Sequence, residues 1–160
     1  MARIKHIALT TKEPAKVAEF YKAAFGLKEL RRSPNGAVFL TDGYIHVAIL
    51  NTKGEAAPDM GAHGPHFTGI HHFGFEVDDL GEAGRKIEDA HGQRLTAKEV
   101  SDAEMRDGVH SNFEQKWSGP DGVVFDVSHT GWEGTHEEAA INSNRIPGAS
   151  RDPFVRARDG

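Results

Sequence analysis

The chain repeats itself, and the repeat limits the folds open to it. Moved forward by 66 positions, Ile4 lands on Ile70, His6 on His72, Leu9 on Phe75, Tyr21 on Ile87 and Gly26 on Gly92. One offset aligns a strand pattern, a histidine, a helix face and a stop signal. The expectation is two copies of one supersecondary unit sharing a core. In the second copy, His72-Phe73-Gly74-Phe75-Glu76-Val77 alternates. The phenylalanines and Val77 fall on one strand face, His72, Gly74 and Glu76 on the other. Asp78 or Asp79 can cap the helix that follows, with Leu80, Ala83, Ile87 and Ala90 at helical spacing and Gly92 as its stop. In the first copy, residues 4–11 alternate in the same way. Glu13–Phe25 then carries Val17, Phe20, Tyr21, Ala24 and Phe25 at helical spacing, and Gly26 ends the helix. The aromatics of this helix are expected in the core.

Further strands are expected at Leu27–Arg32, Ala37–Thr41 and Tyr44–Leu50, with turns at 33–36 and a tight hairpin at Asp42-Gly43. Thr52–Phe67 has glycines, prolines and no periodicity, and reads as a linker. After the second helix, strands are expected at Gln93–Glu99, Val109–Trp117 and Val123–His129, with a polar insertion at 101–107 and a turn at 119–122. The organisation is therefore a first βαβββ module at 4–51, a linker at 52–68, a second module at 69–130 and a tail at 131–160. The tail is expected to wrap the domain or a partner subunit, with a short helix at Thr135–Ile141. The fold class is α+β: two βαβββ modules forming paired mixed sheets around a metal-binding cup.

Composition narrows the chemistry. A net charge of −5 over 160 residues argues against nucleic acid or an anionic membrane as partner. No apolar run is long enough to span a bilayer and no secretory signal opens the chain, so a cytoplasmic location is the default. With no cysteine and ten histidines, imidazole and carboxylate are the strong metal ligands left. The repeat places His6 and His72 equivalently, pointing into the shared cup. Asp126 stands between Phe125 and Val127 on the last strand, where an unpaired buried acid is costly. Two imidazoles and one carboxylate on three strands make an open divalent metal site. His46 faces the cup if Ile45, Val47 and Ile49 face the core. Matching Gly43 to Gly122 puts Val47 opposite Asp126 instead, and one residue more or less in the hairpin changes that. His71 is expected to face away.

The pieces Lys5-His6-Ile7-Ala8-Leu9, Ala18-Glu19-Phe20-Tyr21 with Phe25-Gly26-Leu27, His71-His72-Phe73-Gly74-Phe75 and Gly119–Asp126 resemble the vicinal oxygen chelate superfamily. It includes glyoxalase I, methylmalonyl-CoA epimerase, extradiol dioxygenases and bleomycin- and fosfomycin-resistance proteins. The resemblance covers about 4–129 and implies that His6, His72 and Asp126 occupy ligand positions, although the family more often has glutamate at the last. Glyoxalase I has a further acid on the last strand of the first module, where Tyr44–Asn51 offers none. His46 could serve there as a ligand or substrate contact.

The resemblance implies a metal-dependent enzyme acting on a small substrate with adjacent oxygens. Extradiol-dioxygenase-like chemistry on Fe2+ or Mn2+ leads, with His110 or His46 moving protons. Lys116 and Trp117 stand where such dioxygenases carry a tyrosine. The alternatives are a lyase or isomerase using Ni2+, Co2+ or Zn2+, and a metal-free protein that sequesters a drug-like molecule. A homodimer is expected, because exposed sheet edges and the tail need covering.

Overall fold

The computed structural model describes residues 1–52, 66–95 and 114–136. Their order is β1 (Arg3–Thr11), α1 (Pro14–Phe25), β2 (Lys28–Arg32), β3 (Val38–Thr41), β4 (His46–Asn51), β5 (Gly69–Glu76), α2 (Leu80–Asp89), β6 (Gln93–Arg94), β7 (Gln115–Ser118) and β8 (Val124–Ser128). The eight strands form one mixed sheet in the order β2-β3-β4-β1-β5-β8-β7-β6. Each half has a single parallel pair, β1 with β4 and β5 with β8. The halves join where β1 runs antiparallel to β5.

The join is built around the repeat. Ile7 pairs with Phe73, its own counterpart 66 positions on. His6 pairs with Gly74 and Ala8 with His72, so the two histidines sit diagonally about this local axis on one sheet face. The register slips by one residue between Ile4 and His6, and again between Ala8 and Leu9 opposite His72 and Ile70. The extra residues are Lys5 in β1 and His71 in β5, which the repeat also relates. A bulge turns two successive side chains toward one side. Lys5 and His6 are accordingly both buried, as are His71 and His72. His71 therefore does not face away, as strict alternation predicts; the bulge overrides alternation.

The helices cover the opposite face. Ala18 of α1 packs with Val38, Leu40 and Ile49, and Leu9, Val17, Tyr21, Leu27 and Val47 close around them. Phe20 and Phe25 are 60% and 68% exposed, so two of the three helix aromatics lie outside the core. Ala18, at 0%, takes the position nearest the sheet, and the larger rings stand at its flank. Gly26 ends α1 in the left-handed conformation, with φ +70°. Asp79 caps α2 by accepting a 2.6 Å hydrogen bond from the Glu82 amide. At the far end His91, not Gly92, takes the left-handed turn, with φ +66°. Gly92 is needed for space, since a Cβ there would come within 2.3 Å of Ile87 Cγ2. Under α2, Phe73, Phe75 and Phe125 pack edge-to-face and offset, with centroids 5.4 to 6.5 Å apart.

Two expected boundaries move. The β3–β4 connection spans Asp42 to Ile45, longer than a two-residue hairpin. Asp42 Oδ1 accepts from the Tyr44 and Ile45 amides at 2.8 and 2.7 Å, an Asx-type loop that takes Tyr44 and Ile45 out of the strand. β7 begins at Gln115 within the described residues. The expected strand positions 96–99 and 109–113, and most of the short helix at 135–141, lie outside them.

Candidate metal centre

His6 leaves β1, His72 leaves β5 and Asp126 leaves β8, all from the face opposite the helices. Asp126 pairs in register with Gly74, which itself pairs with His6. Three adjacent strands thus aim three donors at one point. Their nearest ligand atoms all lie within 4.8 Å of one another. His6 Nε2 is 3.3 Å from His72 Nε2, and His72 Nε2 is 3.0 Å from Asp126 Oδ2. Donors bonded at about 2.1 Å to one ion stand about 3.0–3.4 Å apart, from octahedral to tetrahedral arrangements. The side chains are 3%, 7% and 0% exposed.

Asp126 Oδ2 decides whether an ion fits. It is fully buried, and despite its nearness to His72 it accepts no hydrogen bond of acceptable direction. Stranding a buried carboxylate oxygen in this way is costly. Its other oxygen is satisfied, since Lys116 Nζ donates to Oδ1 at 2.6 Å. One orphaned oxygen facing two imidazole nitrogens is a donor set for a divalent cation of borderline hardness.

The surroundings keep those donors in usable form. Burial lowers the His6 pKa well below its ordinary value, and the neighbouring His46 and His72 lower it further. A neutral imidazole with a free lone pair is what a metal needs. Burial opposes ionisation of Asp126, but His72 and Lys116 more than offset it and hold the carboxyl below its usual range. His46, which pairs with His6 across β1 and β4, does not join the three. Its Nδ1 lies 2.9 Å from His6 Nδ1, the nitrogen turned away from His72. Burial, and then the charge of Arg31, bring the His46 pKa to about 4, so it too is neutral near pH 7. On the other side of the centre, His71 Nδ1 meets His72 Nδ1. His110 lies outside the described residues.

The strand registers also identify the counterpart of Asp126. Gly74, the repeat partner of Ala8, pairs with Asp126, and Ala8 pairs with Ala48. Ala48 is therefore the equivalent position, in place of Val47 or His46. The turn after Thr41 is one residue shorter than the turn after Ser118: Thr41 pairs with His46, and Ser118 with Val124. That difference shifts the alignment by one.

Residues 131–136 cross the cup. Trp132 lies parallel to His6, with ring centroids 5.0 Å apart and planes at 3°. His46 meets the His6 ring edge to edge through their Nδ1 atoms, and Phe39 lies against His46 with centroids 5.6 Å apart, so the His6 ring is held on its face and at its edge. The crossing segment is tied to the first half of the sheet: Lys5 Nζ donates to the Thr135 carbonyl at 3.0 Å, and Thr41 Oγ1 to that of Gly134 at 2.8 Å. Trp132 Nε1 donates to Glu114 Oε1. Glu114 is largely buried beside Asp126. Burial and the Asp126 charge push its carboxyl up to about 7. Sequence reasoning missed Glu114, Trp132 and the inward turn of His71. Glu114 and Lys116 were readable as a same-face pair two apart on a strand; the crossing segment left no periodic signal.

Comparison with known proteins is consistent with this architecture. The family model described as the Glyoxalase/Bleomycin resistance protein/Dioxygenase superfamily matches residues 3–127. The chain belongs to that superfamily. No curated protein matches this vicinal oxygen chelate protein in sequence. Among solved structures, it is similar to the hypothetical protein BH1468 from Bacillus halodurans C-125, at TM-score 0.60 and 19% identity, covering 79% of this chain and 93% of that one. It is also similar to a variant of Streptomyces coelicolor methylmalonyl-CoA epimerase in complex with 2-nitronate-propionyl-CoA, at TM-score 0.56 and 19% identity, covering 79% and 95%. A superfamily member from Vibrio splendidus 12B01 follows at TM-score 0.52 and 15% identity, covering 80% and 98%. At these identities the likeness is one of fold.

Proposed function

We propose that the protein is a divalent-metal enzyme that binds a small substrate through two adjacent oxygens. The observation that carries this reading is the stranded Asp126 Oδ2 facing the Nε2 atoms of His6 and His72. A bound ion would act as a Lewis acid toward those substrate oxygens. The chain's own residues do the rest. His6, His72 and Asp126 hold the ion. His46 fixes the orientation and tautomer of the His6 ring. Lys116 balances the buried acids, and Trp132 keeps water from the His6 side.

We favour non-oxidative lyase or isomerase chemistry, in which a proton leaves a carbon next to the bound oxygens. Two features support it. The cation Lys116 stands where a ring-cleaving dioxygenase carries a tyrosine. A second carboxyl, Glu114, lies beside the centre, held by Trp132 Nε1, where a carboxylate can take a proton from a bound substrate. The ring-cleaving reading has one observation in its favour: Ala48 carries no donor, which leaves a set of two histidines and one carboxylate suited to Fe2+ or Mn2+.

The test is metal analysis of protein purified without chelators, with His72→Ala alongside. About one equivalent of metal in the wild type and little in the variant is the expected result. Equal content in both would remove His72 from the site, and none in the wild type would remove the metal-enzyme reading in favour of a metal-free sequestering protein. Oxygen uptake with a catechol on the Fe2+ or Mn2+ protein would select ring cleavage. Turnover without oxygen on Ni2+, Co2+ or Zn2+ would select the lyase or isomerase.

A further inference from the structure

We infer that Glu114 is a fourth protein donor to the ion held by His6, His72 and Asp126, supplying from the residue before β7 the carboxylate that Ala48 does not. The inference rests on the metal-enzyme reading above and makes it more specific.

Ala48, the register equivalent of Asp126, is 3% exposed and carries no donor. His46, the nearest side chain able to replace one, turns its Nδ1 to the far nitrogen of His6. Glu114 is placed differently. It precedes β7 directly, so it shares the cup face with Lys116, which pairs with Asp126. Its carboxyl lies near enough to Asp126 to feel that residue's charge. Trp132, which lies on the His6 ring, holds Glu114 Oε1. The carboxyl is therefore bracketed by two of the three donors, through Asp126 on one side and through Trp132 and His6 on the other.

Charge points the same way. Two carboxyls neighbour each other, and Lys116, bonded to Asp126 Oδ1 at 2.6 Å, is the cation beside them. A divalent ion between them removes the repulsion and satisfies the stranded Asp126 Oδ2 together. Glu114 is not among the three residues whose donor atoms lie within 4.8 Å of one another, so its side chain must rotate toward the ion to bind it. That rotation changes the bond to Trp132 Nε1. Four protein donors leave a six-coordinate ion two positions. Two adjacent substrate oxygens fill both, and dioxygen has no place. The substrate class is then one transformed without an oxidant.

The test uses the full chain crystallised with Zn2+, the ion being located by its anomalous scattering. A Glu114 oxygen at about 2.0–2.2 Å from the ion is expected. An ion on His6, His72 and Asp126 with Glu114 beyond 3 Å overturns this inference and leaves the metal-enzyme reading intact. No ion on those three overturns both. In solution, Glu114→Gln keeps an acceptor for Trp132 and removes the charge. Equilibrium dialysis should give a Zn2+ dissociation constant at least tenfold weaker, and the Zn2+-dependent change in Trp132 emission should be lost. An unchanged constant overturns the inference.

Discussion

His46 Nδ1 meets His6 Nδ1 at 2.9 Å, and the opposite nitrogen of the His6 ring faces His72 at 3.3 Å. One imidazole thereby fixes the orientation of another. Because burial keeps both rings neutral, one Nδ1 carries the proton and the other accepts it. If His6 donates, its Nε2 lone pair is committed to the cup. His46→Ala removes that partner. The expected outcome is a metal affinity lower by about 10–100-fold, measured by titration calorimetry, with the coordination of the ion unchanged. His46→Asn, which retains an acceptor near His6, should recover part of the loss. A full-strength His46→Ala site would show that the contact positions nothing.

The fold was legible because the offset of 66 is a rigid constraint. It implies a duplicated strand-helix-strand order, which the eight-stranded sheet has, and the equivalent placing of His6 and His72 follows from it. The clustering of His6, His72 and Asp126 was legible because each stands on an alternating strand. The rest depends on single-residue irregularities that alternation cannot carry. A bulge turns Lys5 and His71 inward. A loop one residue shorter makes Ala48 the repeat equivalent of Asp126. Phe20 and Phe25 have helical spacing yet lie beyond the edge of the buried face, because α1 rests on the sheet through Ala18.

Acid should destabilise the metal-free protein through His6 and His46. Both have folded pKa values below the ordinary 6.5, that of His46 at about 4. Below pH 6.5 the unfolded chain takes up protons that the folded chain refuses, so stability falls until the folded pKa is reached. The contribution of His46 is present above pH 6.5 and is lost between pH 6.5 and about 4. Its size is a few kcal/mol at most. Glu114 has the opposite sign. Its folded carboxyl at about 7 lies above the ordinary 4.5, so its contribution is present below pH 4.5 and lost as pH rises through 7. Thermal melts should then show metal-free Glu114→Gln gaining on the wild type between pH 5 and 8. A constant difference across that range would refute the buried carboxyl.

Lys116 and a metal compete for the same acid. The ammonium donates to Asp126 Oδ1 at 2.6 Å and is 19% exposed. Lys116→Met removes the cation and preserves much of the stem volume. Metal-free protein should lose about 3 kcal/mol or more, read from denaturant midpoints, because Asp126 keeps its charge without its partner. The same variant should bind divalent metal more tightly than the wild type, since no competing cation remains. A variant destabilised without any gain in affinity would mean that the ammonium and the ion do not compete for the charge of Asp126.

Gly74 is the point where sheet and crossing segment come closest. A Cβ built there would stand 2.7 Å from Trp132 Cη2 and Cζ2 and 3.0 Å from His6 Cβ. Neither neighbour can yield easily. Trp132 is 2% exposed and tied to Glu114, and His6 is held by Trp132 on its face and by His46 at its Nδ1 edge. Even the methyl group of Gly74→Ala must therefore push the indole off the imidazole. The expected cost is about 1–3 kcal/mol, typical of overpacking. The effect should be local. Trp132 emission should shift toward that of a solvated indole, while Trp117, buried against α2 next to Gly84, reports no change. Single-tryptophan versions made with Trp117→Phe or Trp132→Phe separate the two signals. If Gly74→Ala leaves both stability and Trp132 emission at wild-type values, the indole does not rest on His6.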